Sequence, residues 1–207
     1  MKKIFITSVL SFATCTAFAS EGWYAGVSVD QKTKPTADSA TGEYHNVFGV
    51  TLGYKLGDGY SVEGLIENEQ VENATTTTDS NKHEGLLQIR ANKDFDTGTQ
   101  FTPYIGVALG EKNKTNVDFF FYRYDLGLKI KLTDTIGTRI GYRHREGFDK
   151  EAVDGTATKY GTDEWTVAVS YKLTPKDTVS IAYKQERKTD GVASNYNTTG
   201  ISYAKAF

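Results

Sequence analysis

Residues 118–132 read DFFFYRYDLGLKIKL, and their character alternates without a break. Phe120, Tyr122, Tyr124, Leu126, Leu128, Ile130 and Leu132 occupy the even positions, against Arg123, Asp125, Gly127, Lys129 and Lys131 on the odd ones. Only an extended chain puts every second residue on one face, so this segment is a long strand with one apolar and one charged face. After Thr133-Asp134-Thr135 the pattern resumes over Ile136–Arg145, with Ile136, Ile140 and Tyr142 against Gly137, Arg139, Gly141, Arg143 and Arg145. The two runs form a hairpin, IKLTDTIGTRIGY, whose form recurs as YKLGDGYSVEG at 54–64 and YKLTPKDTVSIAY at 171–183, with Gly, Pro and Asp supplying the turns.

The same period of two extends in both directions. Before it lie Glu21–Asp30, Tyr44–Leu56, Tyr60–Glu69, His83–Asn92 and Phe101–Gly110; after it lie Glu164–Leu173, Thr178–Glu186 and Tyr196–Phe207. That makes ten predicted strands and no convincing helix. Longer polar connections follow the first, third, seventh and ninth strands (Gln31–Glu43, the Thr75–Thr78 tract, Gly147–Tyr160 and Lys188–Ser194), tight ones follow the second, sixth and eighth, and Glu111–Val117 is intermediate. One end of the sheet therefore carries short turns and the other long loops.

The composition is compatible with this pattern and excludes several others. The chain has 207 residues, 24 Lys+Arg against 26 Asp+Glu, 20 Gly, 13 Tyr and 11 Phe. Mean hydropathy is −0.47, and no stretch beyond the N-terminus approaches the roughly 18 apolar residues of a membrane-spanning helix. Balanced charge without a basic stripe argues against a nucleic-acid partner. Residues 1–19, MKKIFITSVLSFATCTAFA, read as a cleaved secretory signal: basic Lys2 and Lys3, an apolar stretch from Ile4 to Phe12, and Ala17-Phe18-Ala19 as the cleavage site. A lipoprotein cut before Cys15 is the alternative, to which Phe12-Ala13-Thr14 is a poor match. The expected mature domain is 20–207, without cysteine, so disulfides and thiolate chemistry are outside its means.

Alternation alone does not say whether the apolar face meets a core or lipid, so a soluble sandwich or lipocalin-like barrel competes with a transmembrane barrel. The polar face combines Gly, Ala, Ser and Thr with Arg, Lys and Glu, as a crowded interior requires. Trp23, Tyr54, Tyr60, Tyr142, Trp165, Tyr171, Tyr183 and Tyr203 lie on the apolar face near strand ends, where amphipathic rings sit at membrane interfaces. The even strand number puts both termini at the short-turn end, and the sequence ends on Phe207 at the close of a strand. These features predict an all-β, closed antiparallel transmembrane barrel of about ten strands.

The signal peptide, the amphipathic strands, the loop alternation, FTPYIGVALG at 101–110 and Phe207 together resemble the small bacterial outer-membrane β-barrels. That likeness implies an outer-membrane location, membrane lipids as surroundings, and the barrel assembly machinery as a partner that reads Phe207 in the last strand. Lys205 departs from the pattern, since it stands on the lipid-side parity and must snorkel to the interface. YRYDLGLKIKLTDTIGTRIGYRHRE at 122–146 and VAVSYKLTPKDTVSIAYKQER at 167–187 are similar to the arginine-bearing hairpins of the oligogalacturonate-specific porin family, in which twelve strands are expected. From it comes the expectation that Arg139, Arg143 and Arg145 guide an anionic solute.

The lumen is the expected working part. Arg123, Lys129, Lys131, Arg139, Arg143 and Arg145 on the sixth and seventh strands face inward, as do Arg90 on the fourth and Glu63, Glu67 and Glu69 on the third. Walls of unlike charge predict a narrow channel for small hydrophilic, mildly anionic solutes; pairing across a small lumen would instead plug it. An outer-membrane protease or phospholipase is the rival. His45, His83 and His144 are the only histidines, His144 lies beside Asp149 on the lipid-facing parity, and Glu146 stands where a phospholipase would carry serine. No nucleophile, base and orienter assemble, and the histidines lack ligand spacing, so neither catalysis, a metal nor a cofactor is expected. A closed barrel acting through polar loops such as NATTTTDSNK and FDKEAVDGTATKYG is the third reading.

Overall fold

The computed structural model describes residues 21–35, 44–72, 82–114, 117–148, 151–153, 156–158, 160–191 and 195–207. The leader 1–19, Asp149, and most of the loop tracts at 34–43 and 73–81 lie outside them. The elements are β1 (Gly22–Thr33), β2 (Tyr44–Gly57), β3 (Tyr60–Glu72), β4 (Lys82–Asp94), β5 (Phe101–Lys114), β6 (Val117–Lys131), β7 (Ile136–Gly147), β8 (Glu151–Val153), β9 (Thr156–Thr158), β10 (Tyr160–Lys172), β11 (Asp177–Gly191) and β12 (Tyr196–Ala206).

Ten of these strands close into one barrel, in the order β1-β12-β11-β10-β7-β6-β5-β4-β3-β2. Every pair is antiparallel, and β1 meets β12 in a register that sets Tyr24 opposite Ala206 and Thr33 opposite Asn197. Closure leaves no strand edge unpaired, the condition for crossing lipid with a sheet. β8 and β9 form a separate two-stranded hairpin between β7 and β10, in the segment expected to be a plain loop. Asp154-Gly155 lies between them in the sequence, a hairpin signal that was open to reading. β5 and β6 reach Lys114 and begin at Val117, so the intermediate connection at Glu111–Val117 is mostly strand.

Period-two alternation now has an inside and an outside. Ile66, Leu87, Ile89, Ile105, Val107, Leu109, Val167, Val169 and Ile181 are exposed on the outer surface. That is the apolar band lipid would cover. Trp23 and Tyr54 face each other in register with ring centroids 5.1 Å apart, as do Tyr142 and Trp165 at 5.1 Å nearer the long-loop end. Tyr60, Tyr171 and Tyr203 join the first group near the short-turn end, and Tyr183 lies on the outer face of β11. Lys205 also faces outward, with its ammonium 3.9 Å from Asp177, whose carboxylate also accepts the Tyr203 hydroxyl. The cationic head thus reaches the turn region, as its position beside the interface requires.

The short-turn end is built from local chemistry. Gly57 (φ +91°), Asp58 (φ +46°) and Gly59 (φ +78°) lie in the left-handed region, which explains the two glycines flanking Asp58. At the β6–β7 turn, the Thr133 hydroxyl accepts the backbone N–H of Thr135 and Ile136, and Lys131 pairs with Asp134 at 2.6 Å. The hydrogen bond from Lys131 holds the Asp134 carboxyl below its ordinary value. Lys131, expected to face the lumen, is half-exposed at this rim instead.

The interior is asymmetric. Ala168, Ala182, Ser170, Ser180, Ser202 and Thr198 line the wall made by β10, β11 and β12, with Ser170 and Ser180 hydrogen-bonded at 2.7 Å. Long charged side chains from β3, β4, β6 and β7 fill the opposite side. Small inward residues on one wall leave room for large ones on the other, which accounts for the Ser, Ala and Gly content of the polar face.

Candidate functional site

Cross-strand register brings the lumen charges together. Glu63 on β3 stands opposite Arg90 on β4, and the two are ion-paired. Asp125 on β6 stands opposite Arg143 on β7 at 3.1 Å, and Arg143 in turn opposes Glu164 on β10 at 3.1 Å. Arg123, two residues from Asp125 on the same face of β6, donates to it through Nε and Nη2 at 2.7–3.0 Å and through Nη1 to Gln88 at 2.9 Å. Arg90 and Asp125 approach to 3.8 Å across β5. The inward residues of β5 there are Gly106 and Ala108, and a Cβ on Gly106 would stand 3.3 Å from the Asp125 carboxylate, so the small residues let the two neighbours meet.

The result is a continuous chain, Glu63–Arg90–Asp125–Arg143–Glu164, running around half of the inner wall with Arg123 attached at Asp125. Arg123 is 2 % exposed and Asp125 6 %. Buried charges are tolerated only when paired and hydrogen-bonded, and this arrangement supplies both.

Three further charge groupings lie along the lumen. Toward the long loops, Glu69 takes Lys32 at 2.9 Å, Lys112 at 3.2 Å and His45 Nδ1 at 2.5 Å, and Lys112 also reaches Glu84 at 3.3 Å. Toward the short turns, Lys129 pairs with Asp94 at 2.5 Å. Lys184 pairs with Asp30 at 2.5 Å on the small-residue side. Unlike charges therefore neutralise each other along neighbouring strands, where the sequence had suggested two walls of opposite sign. The register explains the difference: Arg90, Arg123 and Arg143 each meet a carboxylate on their own or a nearby strand before they can reach across the barrel.

A polar cavity of about 50 Å³ remains within the lumen. Glu63, Glu67, Arg90, Arg123, Arg139, Arg143 and Arg145, all expected to face inward, border it, while Lys129 lies outside it. Asp30, Gln88 and Lys184 border it as well, and they, with Asp125 and Glu164, are the functional-site residues not singled out from the sequence. Their inward parity was the available signal.

His144 is on the outer face, as expected, and its nearest carboxylate is distant in sequence. Its Nδ1 lies 2.7 Å from Asp163, which also accepts the Tyr142 hydroxyl at 2.7 Å, its Nε2 lies 3.6 Å from Glu146, and its ring stacks on Tyr124. Among the described residues, no group of three or more His, Cys, Asp or Glu is arranged to hold a metal ion.

A closed ten-stranded sheet with an apolar outside, aromatic rings toward both ends and a charged inside defines a bacterial outer-membrane β-barrel. Residues 5–172 match the outer membrane protein beta-barrel domain family, and the chain belongs to it. No curated protein matches the sequence. Among solved structures, an outer membrane channel of Pseudomonas putida F1 superposes with a TM-score of 0.62 at 13 % identity, covering 95 % of this chain and 100 % of that one. The translocator domain of the autotransporter NalP from Neisseria meningitidis gives 0.52 at 10 % identity, covering 93 % and 90 %. The KdgM porin in complex with disordered oligogalacturonate gives 0.50 at 12 % identity, covering 87 % and 99 %. The resemblance to the oligogalacturonate porins is thus met in the fold.

Proposed function

We propose that this barrel is a narrow aqueous channel for the passive diffusion of ions and small hydrophilic solutes, with a mild preference for anions. The observation that carries the reading is the cavity, which six cationic side chains border (Arg90, Arg123, Arg139, Arg143, Arg145 and Lys184) against the carboxylates of Asp30, Glu63 and Glu67. Such a lining favours anions without excluding cations, because most of its charge is locally paired. The volume of about 50 Å³ limits passage to species the size of a few waters unless side chains move. Transport by the neighbouring channel and porin is a property of those proteins; their fold likeness says that this architecture accommodates conduction.

The test is single-channel recording of the refolded protein in planar bilayers, under a salt gradient. Small, stable conductance steps with a reversal potential displaced toward the anion side are expected. Silent bilayers, with heat-dependent gel mobility confirming a folded barrel, would overturn the channel. They would favour the second reading, a closed barrel acting through its loops, for which the dense pairing around Asp125 and Glu69 is the supporting observation.

A further inference from the structure

We propose that Arg139 and Arg145 are two successive binding stations for a small inorganic anion inside the lumen, an inference that rests on water and ions reaching the cavity. Of the six cations bordering it, Arg90, Arg123, Arg143 and Lys184 each hold a carboxylate. Arg139 and Arg145 hold none among the described residues. The Arg145 guanidinium lies 4.9 Å over the Phe121 ring, and its Nη1 donates to the Tyr160 hydroxyl at 3.1 Å. Its Nε is buried without a hydrogen-bond partner, although the residue is only 5 % exposed. Arg139 makes no hydrogen bond or ion pair with any described residue, and its Nε is likewise buried and unpartnered.

The neighbours sharpen the point. Arg145 stands opposite Arg123, and Arg139 opposite Lys129, so each unpaired arginine sits beside a second cation whose own carboxylate is already taken. Like charges in direct cross-strand register repel, and a buried guanidinium without a counter-ion and with an unsatisfied Nε is costly. An anion relieves both penalties, and the planar donor fork of arginine suits an oxyanion. Glu67 borders the same cavity and forms no ion pair with either arginine, so it weakens anion affinity without neutralising the stations. Weak, repeated sites are what passage requires.

Size sets the ligand class. About 50 Å³ of such space holds on the order of four waters, which admits a largely dehydrated halide or a single phosphate and excludes a sugar ring. Residues 139 and 145 are separated by about 20 Å along the strand at ~3.3 Å per residue. The stations are therefore sequential, with the carboxylate-paired Arg143 between them.

The experiment is titration calorimetry of the detergent-refolded protein with inorganic phosphate, replacing bulky gluconate at fixed ionic strength. Saturable binding is expected, roughly tenfold weaker at the altered station in Arg139→Gln and in Arg145→Gln, and lost in the double variant. No saturable binding to the unaltered protein, or unchanged binding in the double variant, overturns the proposal. If a glutamine variant does not fold by gel mobility, the corresponding Arg→Lys variant keeps the charge and removes the fork. It is expected to bind several-fold more weakly, and equal affinity would count against the station. Binding without bilayer conductance would leave the stations standing and remove the channel, whereas conductance without binding would do the reverse.

Discussion

Arg123 and Arg145 face each other directly across β6 and β7, two buried guanidiniums in one cross-strand pair. The sheet tolerates this because Asp125, two residues from Arg123, accepts it at 2.7 Å while also holding Arg143 at 3.1 Å and approaching Arg90 to 3.8 Å. One carboxylate on β6 thus organises cations from three strands. Asp125→Asn preserves shape and removes the charge, leaving buried guanidiniums short of a counter-ion. A loss of about 3–5 kcal/mol is expected, read as a lowered urea midpoint for the refolded barrel. A change below about 1 kcal/mol would mean that water, not Asp125, satisfies these cations.

Tyr104 on β5 offers a second test, of packing. Its ring lies over two glycines, such that a Cβ at Gly127 would fall 2.7 Å from the ring and 2.3 Å from the backbone oxygen of Ile140, whereas one at Gly141 would meet the Tyr104 hydroxyl oxygen at 2.2 Å. A side-chain tip can move and a backbone oxygen in a ladder cannot. Gly127→Ala is therefore expected to cost more than Gly141→Ala, with roughly 1–3 kcal/mol for the former. Equal unfolding midpoints for the two variants would contradict the cradle.

The stretch 118–132 already contained the fold, because strict alternation over its length admits only a strand, and the parity that placed Arg123, Arg139, Arg143 and Arg145 inside is the parity of the barrel. The ten period-two runs are likewise the ten strands of the barrel. What sequence parity could not supply was register. It shows that Glu63 and Arg90 share a face, but only the pairing of β3 with β4 makes them partners. For the same reason parity alone does not reveal that Asp163, from β10, is the described carboxylate nearest His144; Asp149 lies outside the described residues. The small-residue wall of β10–β12 was visible as composition, yet its role as the counterpart of the charged wall depends on closure.

Depth within the membrane gives a third prediction. Ile140 lies near the middle of β7 on the outer face, and Leu132 lies at the short-turn rim, both exposed to the surroundings of the barrel. Ile140→Arg is expected to destabilise the lipid-embedded barrel by about 2–4 kcal/mol and Leu132→Arg by about 0–1 kcal/mol. The comparison is made by reversible unfolding from lipid vesicles. Equal costs would mean that the apolar band is displaced along the barrel from the position its residues mark.

Glu67 provides the sharpest separation between an anion path and a merely charged interior. It borders the cavity together with Arg139 and Arg145, and no described cation approaches it within ion-pair distance, although its charge acts on Arg143. Its negative charge therefore opposes anion entry directly. Glu67→Gln should raise anion preference in bilayer recordings and Arg145→Gln should lower it, with reversal potentials moving in opposite directions under the same gradient. Both shifts should shrink between about 0.1 M and 1 M salt, as the screening length falls from about 10 Å to about 3 Å. Neither variant breaks a carboxylate–arginine pair, so barrel stability is expected to hold while selectivity moves. Shifts of the same sign, or shifts that persist unchanged at high salt, would show that ions bypass the cavity.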